Sequence, residues 1–454
     1  MNLEKIKKAY VIGIKGSGVI AVVEFLHSMG VEVLGSDTEE KFFTDEILQK
    51  LNIPYFEKFE AKNIPTDVDL VVYSTAYNEN NNVEFGEAKR RNLEMISYPE
   101  ILGELFNEKY GIAVTGTHGK TTTSAMLAHI LKEVGTNPSA IIGSKVIDWG
   151  GNALIGKGEF FVIEADEFQN KLRFYNPKAV VLTSVDFDHP DFFPTFSDYK
   201  KTFKDFVARI PKAGFLVVWG DSVDTLEVSK EASCSVLTYG FREECEYKII
   251  NNQMQKFEVE HNGKSLGEFE TKLIGKHNVL NAVAVIAVCH KLNLDLEEVK
   301  EALKNFQGTK RRFEYIGERK GAILIDDYGH HPEELKVTLR GAREIYPEKN
   351  IWAVFHPHSY SRTEALLQEF SQSFGDADHV IVLDIYGSAR ENNGKVNSGD
   401  LVKLINKFDR DKAEHLKTID EAVEFLQDRI GAEDVVITIG AGNGWEVAEK
   451  LKEK

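Results

Sequence analysis

Residues 111–131 read GIAVTGTHGKTTTSAMLAHIL. Ile112-Ala113-Val114 is a short apolar run suited to a buried strand. Gly116 and Gly119 permit a tight turn and close backbone approach. Thr121, Thr122 and Thr123 open an amphipathic helix whose Met126, Leu127, Ile130 and Leu131 keep helical spacing. Strand, glycine turn and helix start, in that order, leave free N–H groups and the positive end of a helix dipole facing one point, which favours an anion. Lys120 closes the turn, where its ammonium reaches the outer phosphates of a nucleotide and the Thr121 hydroxyl is placed for Mg²⁺. The general phosphate-loop pattern has glycine six residues before the lysine. Val114 stands there, so the match is to GxxGK[ST]. A plain glycine-rich turn explains the glycines but not the Lys-Thr-Thr. Gly116, Thr117, His118, Gly119, Lys120, Thr121 and Thr122 are therefore expected to cradle nucleotide phosphates.

Working outward, strand-like runs alternate with helical patterns almost throughout, which predicts α/β domains with parallel sheets. A first block, residues 1–107, opens with AYVIGIKGSGVIAVVEFLHSMGVEVLGSD. Its Gly13, Gly16 and Gly18, with Ser17 between them, suit a nucleotide diphosphate on a turn. Ser36 or Asp37 ends the next strand, where a sugar or base would lie, and Ser74 and Thr75 end another. A second block, 108–309, holds the lysine loop. A third, 310–454, begins at KRRFEYIGERKGAILIDDYGHHP.

The chain has 454 residues, 42% of them hydrophobic, enough for about three cores of ordinary size. A formal charge of −17 argues against non-specific nucleic-acid binding, which needs basic surface. It leaves room for anionic small ligands, because salt screens distant charge within about 10 Å. Three cysteines with no close pair suggest neither a disulfide framework nor a zinc site. The sequence offers no signal peptide and no membrane span, so a cytoplasmic protein is expected.

Further clusters sit where apolar runs end. Glu164, Asp166 and Glu167 follow FFVI, and hard oxygen ligands of this kind suit Mg²⁺. His189 lies beside Asp188 and Asp191 in DFDHPD. His277, Asn278 and Asn281 open an apolar helix, either capping it or touching a base. Lys310, Arg311 and Arg312 are consecutive cations at a block junction, and arginine there can reach phosphate with two parallel hydrogen bonds. Asp326, Asp327, Tyr328, His330 and His331 follow AILI. Together these read as the far wall of a cleft closed by a moving domain.

GTHGKTTT, EADE, DHPD, GKHNVLNA, KRRFE and DDYGHHP occur here in the order found in the Mur ligases of bacterial cell-wall synthesis, and the chain resembles that family over nearly its whole length. DDYGHHP, FHPHSYSRT, LDIYG and TIGAGNG are most similar to its alanine-adding branch. The resemblance implies an N-terminal Rossmann-like domain for a UDP-sugar, a central P-loop-like ATPase domain and a C-terminal Rossmann-like domain for the amino acid. It implies ATP and Mg²⁺ as cofactors, and UDP-N-acetylmuramate with L-alanine or a short peptide as substrates. No nucleic-acid or membrane partner is implied, and a monomer or weak homodimer is expected. Lys120 would contact ATP, Thr121 and Glu164 one Mg²⁺, and His189 a second. Asn278 and Asn281 would meet adenine, and Arg312 and Asp327 the nucleotide from the third domain. His330, His331 and Arg362 fall on the amino-acid side, with either histidine taking the amine proton or only orienting the amino acid. Gly13, Gly16, Ser17, Gly18, Ser36, Asp37, Ser74 and Thr75 would line the UDP-sugar site.

The chain departs from the alanine-adding pattern in places. EADE continues into FQN, closer to the murein-peptide ligases that attach a recycled tripeptide to the same sugar nucleotide. Ser359 stands where that pattern has arginine, and Arg390 interrupts its Ala-Gly-Glu. Lys200, Lys201 and Lys204 lie in range of a lysine that some relatives carbamylate, a modification not expected here. Alanine addition leads, tripeptide addition is the nearest alternative, and a non-catalytic sugar-nucleotide sensor is the alternative of another class.

Overall fold

A computed structural model describes residues 3–189, 192–253, 255–387 and 394–453. Asp191 and Arg390 lie outside the described residues. Among the described residues three sheets follow one another. The first has five parallel strands, with Lys8–Ile12 at its centre between Glu32–Ser36 and Leu70–Tyr73. The second has ten strands. Its parallel centre is Tyr110–Thr115, flanked by Phe160–Glu164 and Ala179–Leu182, and its edge is the antiparallel run Tyr247–Gln253, Lys256–His261, Lys264–Glu270. The third has six strands, parallel except for the edge Glu314–Arg319.

Val, Ile, Ala and Leu fill the central strands because both faces are covered by helices, as parallel sheets require. Register then decides function. Val114 pairs with Glu164, and Thr115 with Leu182, so three strands end side by side and their following loops share one rim. In the third sheet Asp327 and Phe355 both pair with Ile439, giving that lobe its own rim.

One expectation needs correcting. The helix Lys120–Glu133 is not amphipathic: every residue from Thr121 to Leu131 is buried. It lies against the sheet on one side and the helices Lys276–Lys291 and Leu296–Asn305 on the other, so Thr123, Ser124 and His129 are core residues too. Among the described residues no helix is long and apolar enough to cross a membrane.

Candidate active site

The lysine loop is shaped by its glycines. Gly116 has φ +130°, and a Cβ there would lie 2.3 Å from Thr183 Oγ1. Gly119 has φ +80°, and a Cβ there would lie 2.7 Å from Asn281 Oδ1. Both are positions that only glycine fills without displacement. Lys120 folds back over this turn, its Nζ donating to Gly116 O, to Thr117 O at 3.1 Å and to Glu167 Oε2 at 3.0 Å. The Tyr199 hydroxyl donates to the other Glu167 oxygen at 2.8 Å. Burial works against the Lys120 charge, but Glu167 and Asp166 more than offset it, so its pKa is raised and it stays an ammonium. Thr121 Oγ1 donates to Glu164 Oε1 at 2.8 Å, and Glu164 Oε2 accepts from Gly143 N at 2.6 Å. Thr117 is tied to Asp186, donating to its O at 2.9 Å and accepting from its N at 2.8 Å.

Asp166, Glu167 and His189 bring ligand atoms within 4.8 Å of one another, apart from the Thr121–Glu164 pair. The two expected cation positions therefore draw on separate donors. His189 adopts φ +54° and lies 4.6 Å from the Phe168 ring, centroid to centroid. Lys171 Nζ donates to Asp166 at 2.7 Å, so a cation there replaces an existing counter-charge. Oxygen-rich donors at both positions fit Mg²⁺.

A cavity of about 350 Å³ opens beside the loop, lined by His118, Gly119, Thr122, Asn278, Asn281, Arg312 and Asp327 together with Trp219 and Tyr239. Asn278 donates to Ile274 O at 2.7 Å and accepts from Asn281 at 3.2 Å, so its side chain reaches back one turn rather than capping the helix end. Burial, then Arg312, pushes His277 down to about 4. Asp327 accepts from Phe313 N and Gly329 N, both at 2.8 Å, so it braces the loops on either side of its strand while lining the cavity.

A larger cleft of about 960 Å³ is walled by all three lobes: Gly13, Gly16, Ser17, Asp37 and Ser74 from the first, Lys120, Thr121, Glu164 and His189 from the second, Arg312, His330 and Arg362 from the third. Arg362 grips Asp188 through Nε at 3.1 Å and Nη2 at 3.4 Å, with both side chains buried. Although burial opposes ionisation, Arg362 beside it holds the Asp188 carboxyl well below the usual carboxylate range. Burial pushes His330 down to about 3, and its Nδ1 bonds Tyr328 O at 3.1 Å.

Four expectations change here. Ser36 is fully buried and donates to Glu84, which makes it a core hydroxyl and not a sugar contact. Gly18 faces the Tyr98 ring, 2.7 Å from where its Cβ would be, because the first helix packs there. His331 caps the helix Pro332–Ile345, accepting from Glu333 N at 3.4 Å, and packs on His118 with ring centroids 4.9 Å apart. Thr75 is half-buried beside Ser74 and off the cleft wall.

Residues 8–110 match the family model "Mur ligase family, catalytic domain", 114–289 "Mur ligase middle domain" and 311–442 "Mur ligase, glutamate ligase domain". The chain belongs to the Mur ligase family. This Mur ligase is 40% identical to UDP-N-acetylmuramate–L-alanine ligase of Desulfitobacterium hafniense, across 97% of this chain and 98% of that one. It superposes on the UDP-N-acetylmuramate-alanine ligase structure from Thermotoga maritima with TM-score 0.82 and 28% identity, covering 98% of each chain. A murein peptide ligase from Psychrobacter arcticus shares the fold at TM-score 0.73 and 23% identity, again over 98% of each.

Several residues in and behind the cleft walls escaped the sequence reading. Glu334 accepts from His118 Nδ1 at 3.1 Å and from His330 N at 2.8 Å, joining the lysine loop to the third lobe. Its signal was present, since a glutamate three residues after a helix cap is a capping-box pattern. Lys15, inside the glycine turn, was visible but unweighed. Tyr199 gave no local signal. Lys200, in contrast, is paired with Asp224 at 3.2 Å and Glu227 at 2.7 Å on the neighbouring helix.

Proposed function

We propose that this Mur ligase joins L-alanine to UDP-N-acetylmuramate using ATP, releasing ADP and phosphate. The observation that carries the reading is the cleft in which Lys120, Glu164, His189 and Arg312 face the glycine turn of the first lobe. The 40% identity to an L-alanine ligase names the amine. A carboxylate is a poor acyl donor. Moving the γ-phosphoryl group onto the lactyl carboxylate gives an acyl phosphate with a good leaving group. Attack by the neutral alanine amine gives a tetrahedral intermediate that collapses to amide and phosphate.

Two anions must meet, so cations decide the rate. Lys120 exchanges Glu167 for the phosphates, and Arg312 approaches from the third lobe. Thr121 and Glu164 would hold one Mg²⁺, and His189 with Asp166 a second. When bound, Mg²⁺ offsets phosphate charge and polarises the transferred group. Asn278 and Asn281 face the base, and Asp37 and Ser74 the UDP-sugar. His330, held at about 3, is too weak a base to take the amine proton at neutral pH, so it orients the amino acid. Arg362 keeps part of its donor fork beyond Asp188 for the amino-acid carboxylate. The reaction belongs in the cytoplasm, where ATP is at hand.

The test supplies UDP-N-acetylmuramate and ATP with alanine, serine, glycine or the recycled tripeptide in turn, and follows phosphate and amide. Alanine-dependent release of both is expected. Release with tripeptide alone reverses the assignment, and sugar-nucleotide binding without turnover returns the protein to the sensor class.

A further inference from the structure

The hairpin formed by Ser139–Val146 and Gly151–Leu154 belongs to the central sheet yet touches the other two lobes. On one side Lys310 N donates to Lys145 O at 2.8 Å and Ile147 N to Gly308 O at 3.1 Å, so the segment leading into the third lobe is zipped along it. On the other, Lys145 pairs with Glu46 at 3.2 Å. Between them sits Asn152, fully buried. Its Nδ2 donates to Ser17 O of the first lobe at 2.7 Å and to Ile142 O of its own hairpin at 3.2 Å. Two carbonyl oxygens face that nitrogen, which fixes the amide's orientation. The Asn152 Oδ1 is buried and meets no donor among the described residues. Leaving it so is costly, and the two bonds on Nδ2 are what hold the side chain there.

Position gives these bonds their meaning. Ser17 is the first residue of the helix that leaves the glycine turn, and it lines the cleft. Ile142 precedes Gly143, whose N–H holds Glu164 at 2.6 Å. One amide group thus spans from the backbone of the sugar-nucleotide turn to the backbone that orients the carboxylate beside Thr121.

We infer that Asn152 is a positioning residue, setting the separation between the sugar-nucleotide turn and Glu164. The inference rests on the sugar-nucleotide reading of that turn. An isosteric Asn152→Asp change keeps the shape and replaces two donors by at most one, the proton of a buried carboxyl. Asn152→Ser removes the reach. Asn406→Ala serves as control: its side chain makes two similar bonds to Ala413, at 2.8 and 2.7 Å, within the third lobe and away from the cleft.

Steady-state kinetics with each substrate varied, on folded variants checked by thermal melting, decide the matter. Asn152→Asp and Asn152→Ser should raise KM for UDP-N-acetylmuramate about tenfold and leave KM for ATP within about twofold. Asn406→Ala should lower the melting temperature and move neither KM. An unchanged sugar-nucleotide KM in a folded Asn152 variant, or both KM values rising together, overturns the positioning role while the function stands. A wild-type enzyme that turns over without needing the sugar nucleotide overturns both.

Discussion

Two glycine turns in this molecule each carry a lysine, and the two lysines point opposite ways. Lys120 overlies its own turn within reach of the cleft and is held by Glu167 from a neighbouring strand's loop. The Lys15 side chain is completely buried, its Nζ donating to Thr38 O at 2.9 Å and Glu40 O at 3.0 Å and lying 3.2 Å from Asp45. The central turn thus offers a charge to the ligand. The first turn uses its charge internally, fastening the loop after Asp37, and its N–H groups from Gly13 to Gly16 are donated within the lobe as well, so the start of the helix Ser17–Ser28 is what it presents to the cleft. One arrangement suits a group whose charge changes during reaction, the other a diphosphate that is only bound.

That contrast is breakable. Lys120→Ala should lower kcat by about 10²–10³-fold, the scale for losing one preorganised electrostatic contact, while calorimetry finds sugar-nucleotide binding intact. Unchanged turnover would remove Lys120 from the phosphates. Lys15→Met should act the other way, leaving Asp45 without its buried partner and costing about 3 kcal/mol of stability in denaturant unfolding. Its kcat at saturating substrate should stay near wild type. A large kcat loss in folded Lys15→Met would mean that both lysines serve the chemistry.

What the sequence made legible follows the same division. The lysine loop is local: strand, turn and helix lie within twenty-odd residues, and its glycines and threonines announce themselves. The alternation of strands and helices similarly foretold the parallel sheets, because each βα unit is written contiguously. Asp188–Arg362 and His118–Glu334 join residues separated by 174 and 216 positions, and no local pattern reports such a pairing. Ser36 shows the converse failure. It ends a strand, as a ligand-binding serine would, but Glu84 from the helix Val83–Arg90 takes its hydroxyl. The all-round burial of Thr121 to Leu131 was hidden because threonine and serine look polar in sequence, yet satisfy their hydroxyls within a helix, as Ser124 does by donating to Lys120 O at 2.8 Å.

Glycine geometry sharpens the comparison on a smaller scale. Gly13 has φ +81°, and a Cβ there would lie 2.7 Å from Tyr77 Cε2 and 2.9 Å from Ser74 Cβ. Gly13→Ala should cost about 1–2 kcal/mol from the left-handed backbone alone, read as a lowered melting temperature. It should raise KM for the sugar nucleotide while sparing that for ATP. Equal damage to both would show that the two turns do not act separately.

The smallest effect belongs to His118, where the central turn meets the third lobe. Its Nδ1 bonds Glu334 at 3.1 Å, and its Nε2 lies 3.6 Å from Asp186. Burial disfavours the imidazolium, but Glu334, Asp186 and Asp188 outweigh it, so the pKa is raised above 6.5. A raised folded-state value means that the charged pair stabilises fully below the unfolded pKa, about 6.5, and is lost as pH rises through the folded value. His118→Gln keeps much of the volume and does not titrate. The melting temperature of wild type minus that of His118→Gln should therefore be greatest near pH 6, worth about 1 kcal/mol, and shrink toward pH 9. A difference that is flat across that range would mean His118 stays neutral, and that the lysine loop meets the third lobe through an uncharged hydrogen bond.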